Sequence, residues 1–126
     1  CSSPGKARWK QLSQQHCGYC VPCLIRRAAM HKAFGDDGTV YTETSIYEMQ
    51  NKNAEGMGIQ LRSFQYAIDK IKQDRNRALF YIHKPGPLPQ DDEYLRELAD
   101  TYIRGLLEVD AFIQDNLAQE DENNDL

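Results

Sequence analysis

Three of the four cysteines in this 126-residue chain lie three residues apart, at Cys17, Cys20 and Cys23, and the fourth is Cys1. Cysteine thiolates are preferred ligands of Zn²⁺, and structural zinc sites use four ligands in a tetrahedral arrangement. A Cys-x-x-Cys turn brings two sulfurs to one ion, and the third cysteine repeats that spacing. The pattern therefore predicts one structural zinc site with no open position for water.

Other chemistry is compatible with the same residues. A Cys-x-x-Cys-x-x-Cys run also occurs in ferredoxin-type iron–sulfur clusters. A disulfide or a redox Cys-x-x-Cys pair needs no third cysteine in register. His16 precedes Cys17 and is an alternative ligand in place of Cys1. His31 and His83 are interpreted as ordinary surface or core histidines.

The residues around the cysteines predict a turn followed by a helix. Gly18 suits a tight turn, and Pro22 is favoured in the first turn of a helix. Cys23 then lies at a helix N-terminus, where the helix dipole stabilises a thiolate. Apolar spacing predicts a helix over residues 24–34 that ends at Gly35.

The charge is distributed unevenly along the chain. Up to Gly35 there is no acidic residue, whereas the remainder holds all 19 Asp and Glu residues, and the whole chain has a net charge of −4. The six basic residues before Gly35 are Lys6, Arg8, Lys10, Arg26, Arg27 and Lys32. They either balance a four-thiolate metal site of about −2 charge or contact a phosphate or nucleic acid.

The remaining chain predicts a mostly α fold, with the zinc knuckle at the N-terminal end of a small helical domain. We expect four parts: a knuckle and basic helix over 1–35, an irregular connector over 36–58, a helical body over 59–117 and an acidic disordered tail over 118–126. Trp9 is expected to pin the first loop if no helix forms there.

Within the body, three features locate the helices. A helix is predicted from Ile59 to about Gln73, and a short second helix from Arg77 to His83 with Asn76 as its N-cap. After the proline-rich loop 84–89, Asp91 is expected to cap a last helix that reaches about Leu117. The apolar stripe of that helix consists of Leu95, Leu98, Tyr102, Leu106, Val109, Phe112 and Ile113. Gly105 within it suggests close packing against another helix.

The segment from Cys1 through Cys17-Gly18-x-Cys20-x-x-Cys23 to Arg26-Arg27 resembles the C-terminal zinc motif of the 7-cyano-7-deazaguanine synthase (QueC-like) family. The likeness covers about residues 1–35, and its form looks most similar to the QueC-like proteins of Qat anti-phage defence systems. Two departures are the long gap from Cys1 to Cys17 and the helical segment after the motif. They weaken a transfer of deazaguanine chemistry and favour the defence-type branch.

The resemblance implies a parent protein with an N-terminal ATP-pyrophosphatase domain, whose Ser-Gly-Gly-x-Asp-Ser phosphate loop does not occur here. The chain begins at a cysteine, so it is interpreted as the C-terminal part of a longer cytoplasmic protein. ATP would bind only in the other domain, and this chain alone would not be an enzyme. Arg26 and Arg27 would contact that domain or its ligand, or merely cover the zinc site.

Two other functions are compatible with the residues. The helical body could dock a partner protein of a defence complex, or a homodimer mate, without catalysis. The basic head could bind nucleic acid, although the acidic body would repel phosphates. No apolar run approaches the ~20 residues that a membrane-spanning helix needs, so no membrane contact is expected.

Overall fold

The apolar periodicity of the last third of the chain corresponds to one helix, α6 (Asp92–Asn124), onto which most of the other helices pack. The computed structural model describes residues 1–51 and 56–124. The remaining helices are α1 (Lys6–Trp9), α2 (Val21–Phe34), α3 (Ile46–Asn51), α4 (Met57–Gln73) and α5 (Arg77–Tyr81). No β-strand forms within the described ranges, and one isolated parallel bridge joins His16 and Tyr41. The predicted mostly α fold is confirmed.

The core forms where α2, α3, α4 and α5 contact α6. The predicted stripe of α6 supplies Leu106, Val109, Phe112 and Ile113 to this core, and Leu95, Leu98 and Tyr102 pack against it partly buried. Leu61, Ile68 and Ile71 of α4 and Leu24 and Ala28 of α2 complete the facing surfaces. The helical spacing of these residues places them on one face of each helix. Burial of those apolar faces against one another stabilises the bundle.

Two of the predicted helix ends are confirmed. Gly35 adopts φ +74° after α2, and its N–H donates to the carbonyl of His31 at 2.8 Å. Asp91 Oδ1 accepts hydrogen bonds from the backbone N–H groups of Glu93 and Tyr94, each at 3.0 Å. A left-handed glycine and an aspartate cap satisfy backbone groups that a helix end leaves unpaired.

Asn76 is the N-cap residue of α5, as predicted, but its side chain makes no capping hydrogen bond. Its own N–H donates to Asp74 Oδ1 at 3.0 Å. The helix also ends at Tyr81 rather than at His83. The carboxylate two residues earlier thus organises this turn, because an Asp side chain readily accepts from a nearby backbone N–H.

The predicted disordered tail is wrong over residues 118–124, because α6 continues through Asn124. The Glu120 carboxylate accepts hydrogen bonds from Ser45 Oγ at 2.8 Å and from the N–H groups of Ile46 at 3.2 Å and Tyr47 at 3.1 Å. It therefore caps α3, which the sequence pattern left inside an irregular connector. Residues 125–126 lie outside the described part of the chain.

Two smaller expectations also need correction. A Cβ atom placed on Gly105 would meet nothing within 4 Å, so this glycine does not mark a close helix contact. The connector 36–58 contains α3, and α4 begins at Met57 rather than at residue 59. Residues 52–55 of that connector lie outside the described residues. Within the described residues, no helix is both long and apolar enough to cross a membrane.

Candidate metal centre

The four cysteine sulfurs converge at the start of α2. Their Sγ atoms all lie within 4.8 Å of one another, and those of Cys17 and Cys23 are 3.9 Å apart. A tetrahedral ion with metal–sulfur distances of about 2.3 Å separates its sulfurs by about 3.8 Å. Cys17, Cys20 and Cys23 are buried, Cys1 is exposed, and all four are free thiols. The predicted ligands therefore form a group that can hold one metal ion.

The start of α2 positions two of the four ligands. Cys20 is the N-cap residue with extended backbone, and Cys23 follows in the first turn behind Pro22. The N–H of Leu24 donates to the Cys20 carbonyl at 2.9 Å, which closes this turn. Both thiols thus lie at the positive end of the helix dipole, as predicted from the position of the proline.

Backbone N–H groups point at two of the sulfurs. Cys17 N–H donates to Cys1 Sγ at 3.2 Å, and Ser2 N–H donates to Cys20 Sγ at 3.4 Å. Such bonds favour the thiolate, which is the form that binds metal. They also attach the segment around Cys1 to the turn that holds the other three ligands.

The two thiols at the start of α2 differ in acidity. Burial acts to raise the pKa of Cys20, but hydrogen bonds from Ser2 and Cys23 outweigh it and lower that pKa to about 6. Burial raises the pKa of Cys23 to about 11. Because only the thiolate binds a metal ion, any proton still held by these sulfurs must leave when an ion binds.

Glycine is the one residue type that fits position 18 of the turn. Its φ is +88°, and a Cβ atom there would collide with the backbone carbonyl of Glu43 and lie 3.0 Å from Tyr41 Cβ. An L-residue is therefore excluded both by backbone conformation and by space. The sequence indicated a turn glycine but gave no signal for the segment that packs against it.

Residues 41–43 form that second segment. They run beside the metal turn, which we define as residues 16–23, with Cys17, Cys20 and Cys23. Thr42 N–H donates to the His16 carbonyl at 2.8 Å, and Glu43 N–H donates to the Cys17 carbonyl at 3.0 Å. An isolated parallel bridge between His16 and Tyr41 pairs this segment with the residues just before Cys17. The ligand loop is thus supported from outside the cysteine motif.

Arg27 connects the metal turn to the helical body. It is 7% exposed, and its guanidinium donates to the carbonyls of Gly18 at 2.9 Å and Thr44 at 2.6 Å. The same group lies 5.3 Å from the ring centre of Tyr41 and 5.0 Å from that of Phe112. Burial lowers the pKa of Arg27. Arg27 is therefore a structural residue, whose buried guanidinium links the metal turn to α6 within the chain.

The two adjacent arginines have different environments. Arg26 is exposed and donates to Thr39 Oγ1 at 3.1 Å. Because Arg27 is buried by its own chain, the outward contact predicted for it does not fit its position. A contact of Arg26 with another domain or its ligand stays a prediction.

The histidines lie apart from the ligand group. Among the described residues that group contains the four cysteines and not His16, whose ring is 6.2 Å from that of Tyr41. His31 Nε2 lies 2.9 Å from Asp115 Oδ2, which links α2 to α6. His83 is exposed after α5. The alternative ligand set with His16 in place of Cys1 therefore lacks geometric support.

Most of the basic residues before Gly35 contact groups of the same chain. Lys6 lies 5.9 Å from the ring centre of Tyr19, Lys10 pairs with Glu43, and Lys32 pairs with Glu108 at 3.3 Å. Of the two predicted alternatives for this segment, the short helix forms as α1, and Trp9 at its end is 89% exposed and pins no loop. These cations therefore contact carboxylates and an aromatic ring of the domain itself.

Comparisons with known proteins add no relative to this picture. No protein-family model matches the chain, and neither a curated protein nor a solved structure matches it. The QueC-like resemblance of residues 1–35 therefore depends on the cysteine motif and its flanking residues. The four-cysteine group at the start of α2 is the observation from which function is argued.

Proposed function

We propose that Cys1, Cys17, Cys20 and Cys23 bind one structural Zn²⁺ ion. The observation that carries the proposal is the convergence of four free sulfurs within 4.8 Å of one another, three of them buried. Four sulfur ligands complete a tetrahedral zinc shell and leave no position for water. The ion would therefore contribute folding energy and would not activate a nucleophile.

The sulfur separations favour a single ion over the two rival chemistries. An iron–sulfur cluster places several iron and sulfide atoms between its cysteines, so its ligand sulfurs stand farther apart than around one ion. A disulfide requires two sulfurs about 2.05 Å apart, whereas Cys17 and Cys23 have sulfurs 3.9 Å apart. The group has the dimensions of a one-ion site.

The parent protein that we propose is a QueC-like ATP-dependent enzyme, a nucleobase- or carboxylate-activating ligase of an anti-phage defence system. Support comes from the motif, in which Cys17-Gly18, Cys20 and Cys23 lead into a helix that carries Arg26. ATP and the substrate would be activated in a separate N-terminal domain. This chain would supply the structural zinc site and one side of the interface with that domain.

An exposed apolar face beside the zinc site supports a docking role. Val21 is 40% exposed and Ile25 is 50% exposed one turn later, so both lie on the outer face of α2. Ile59 of α4 is 52% exposed, next to Gln60, whose Oε1 accepts the Val21 N–H at 2.5 Å. Exposed apolar patches of this kind mark protein interfaces. Arg26 lies on the same helix, one residue after Ile25.

A second candidate uses the same face for another protein. The chain would then be a non-catalytic module that docks a protein of a defence complex. The coding sequence upstream of Cys1 separates the two candidates. A Ser-Gly-Gly-x-Asp-Ser phosphate loop encoded there supports the ATP-dependent parent, whereas an upstream sequence without any nucleotide-binding loop contradicts it.

A binding experiment tests the proposed face. In the full-length protein, Ile25→Asp should separate this domain from its neighbour, which limited proteolysis would detect as faster cleavage between the two. Phe34→Asp, at a residue of the same helix that is 74% exposed, serves as the control. Equal cleavage of the Ile25 variant and the wild type would contradict docking through this face.

A further inference from the structure

Arg27 is the one charged side chain that is buried in the described part of the chain, at 7% exposure. Its guanidinium donates two hydrogen bonds, and both acceptors are uncharged carbonyls, those of Gly18 and Thr44. Among residues 1–51 and 56–124, no carboxylate lies within ion-pair distance of it. A buried cation without an anionic partner is unfavourable. A negative charge close to Arg27 would therefore stabilise the fold.

Two carboxylates act on Arg27 from a distance, and each of them has other partners. Burial lowers the pKa of Arg27, and the charges of Asp37 and Glu120 act in the opposite direction. Asp37 accepts hydrogen bonds from the Tyr41 hydroxyl at 2.5 Å and from the Thr39 N–H at 2.9 Å. Glu120 caps the N-terminus of α3. Both carboxylates thus serve other segments, and the guanidinium gains no direct ionic bond from them.

The predicted metal ligands adjoin Arg27 along the chain and across the turn. Cys23 lies four residues before Arg27 in α2, and residues at this spacing are neighbours on one helix face. Gly18, whose carbonyl accepts from Arg27 at 2.9 Å, directly follows the ligand Cys17. The guanidinium is therefore tied to the sulfur group both through α2 and through the metal turn.

The other five basic residues before Gly35 are less able to balance a buried charge. Water and dissolved ions screen charges at the surface, whereas charges interact more strongly where the dielectric constant is low. Lys10 and Lys32 pair with carboxylates of the same chain. The remaining three are Lys6, which lies over the ring of Tyr19, and the exposed Arg8 and Arg26.

We propose that Arg27 is the counter-charge of the metal centre and raises its affinity for Zn²⁺. Four thiolates around one Zn²⁺ ion carry a charge of about −2, and three of the four cysteines are buried. A buried guanidinium lowers the energy of that charge, because opposite charges attract strongly where water is excluded. The inference rests on the structural zinc site proposed above, and it gives Arg27 a role beyond its hydrogen bonds to Gly18 and Thr44.

Two substitutions of Arg27 separate its charge from its hydrogen bonds. Arg27→Lys keeps a positive charge, Arg27→Gln keeps a neutral donor, and both lose the guanidinium fork that reaches two carbonyls. Competition with a chelating dye measures the Kd for Zn²⁺ of each full chain. Arg27→Gln should weaken zinc binding at least about tenfold, whereas Arg27→Lys should stay within about threefold of the wild type. Circular dichroism of the zinc-loaded variants confirms that they are folded.

The same titration supplies the control and the contrary results. Arg26→Gln removes an exposed charge on the same turn of α2 and should leave the Kd unchanged. A purely structural Arg27 would give the Lys and Gln variants equal Kd values, and that result would overturn the inference alone. A wild type that binds no zinc would overturn the zinc site as well, so the two failures are distinguishable.

A second test leaves Arg27 in place and offers it a carboxylate. Thr44 is exposed, and together with Arg27 it lines a cavity of about 250 Å³. Thr44→Glu should weaken zinc binding about threefold or more relative to Thr44→Gln, which adds a side chain of the same size without the charge. Because residue 44 is exposed, this pair decides the point even if the Arg27 variants do not fold. The same Kd for both chains would contradict the role of Arg27 as the counter-charge.

Discussion

The first 20 residues and the last helix are held in place by different forces. Residues 1–20 contain one helix of four residues and bury only Ala7 and residues 17–20 within that span. α6 spans 33 residues and buries an apolar stripe along much of its length. Apolar burial therefore accounts for α6, whereas the N-terminal segment has a much smaller core. In the proposed zinc site, the four sulfurs would hold that segment in place.

The helix α2 belongs to both regions. Its first turn carries Cys20 and Cys23, and its inner face buries Leu24 and Ala28 against the helical body. Arg27, on the same helix, donates to the metal turn and lies against Phe112 of α6. Loss of the metal should therefore loosen the N-terminal region first and reach the body only through α2.

The largest expected effect comes from removing a buried ligand. Cys20→Ser should lower the free energy of unfolding by more than about 3 kcal/mol, because metal-binding energy is folding energy in such sites. Urea unfolding followed by circular dichroism measures the change. A chelator should destabilise the wild type but have little further effect on the variant. Equal stability of the variant and the metal-loaded wild type would show that the sulfurs do not hold the fold.

Two glycine substitutions compare a turn position that has no room for a side chain, Gly18, with a helix position that has room, Gly105. Gly18→Ala should cost about 2–4 kcal/mol, because the added Cβ meets the Glu43 carbonyl and the backbone is left-handed. Gly105→Ala meets open space within α6 and should stabilise the protein by up to about 1 kcal/mol. Thermal unfolding of both variants gives the comparison, and changes of the same sign would contradict it.

The neighbouring arginines offer the next test. Arg27→Met should cost about 2–3 kcal/mol, because the carbonyls of Gly18 and Thr44 lose a buried charged donor. Arg26→Met, on the exposed side of the same turn, should change stability by less than about 0.5 kcal/mol. Denaturant titration of the two variants under one condition decides the point. Similar losses for both would refute the internal role of Arg27.

The smallest effect concerns the end of α6. Glu120→Gln keeps the size of the side chain but removes the charge that caps the N-terminus of α3, and should cost about 1 kcal/mol. Glu122→Gln is the control, since Glu122 is exposed near the end of the same helix. Hydrogen exchange at the amides of Ile46 and Tyr47 should quicken in the Glu120 variant alone. Unchanged exchange would mean that the carboxylate does not hold α3.

Local signals explain what the sequence could predict. The cysteine spacing located the ligands, Gly35 and Asp91 marked helix ends, and the apolar stripe located α6. Apart from Cys1, each of these is a local pattern in which successive residues lie within a turn or two of one another. Backbone chemistry at a cap or a turn is the same in any fold, so a pattern of this kind retains its meaning.

The features that the sequence did not predict depend on contacts between distant segments. The carbonyl of Glu43 makes Gly18 obligatory, and Arg27 is buried because residues 41–44 and Phe112 surround it. Glu120 appears in the sequence as one acid of a polar tail, yet it meets α3 across the molecule. A polar side chain whose partner comes from another element leaves no periodic signal.

Zinc K-edge X-ray absorption of the purified full chain tests the central claim most directly. The account predicts one zinc ion per chain with four sulfur ligands at about 2.3 Å and no nitrogen or oxygen ligand. A shell of three sulfurs and one nitrogen would transfer a ligand position from Cys1 to His16. Iron in place of zinc, or a chain that folds with no metal bound, would contradict the structural zinc site.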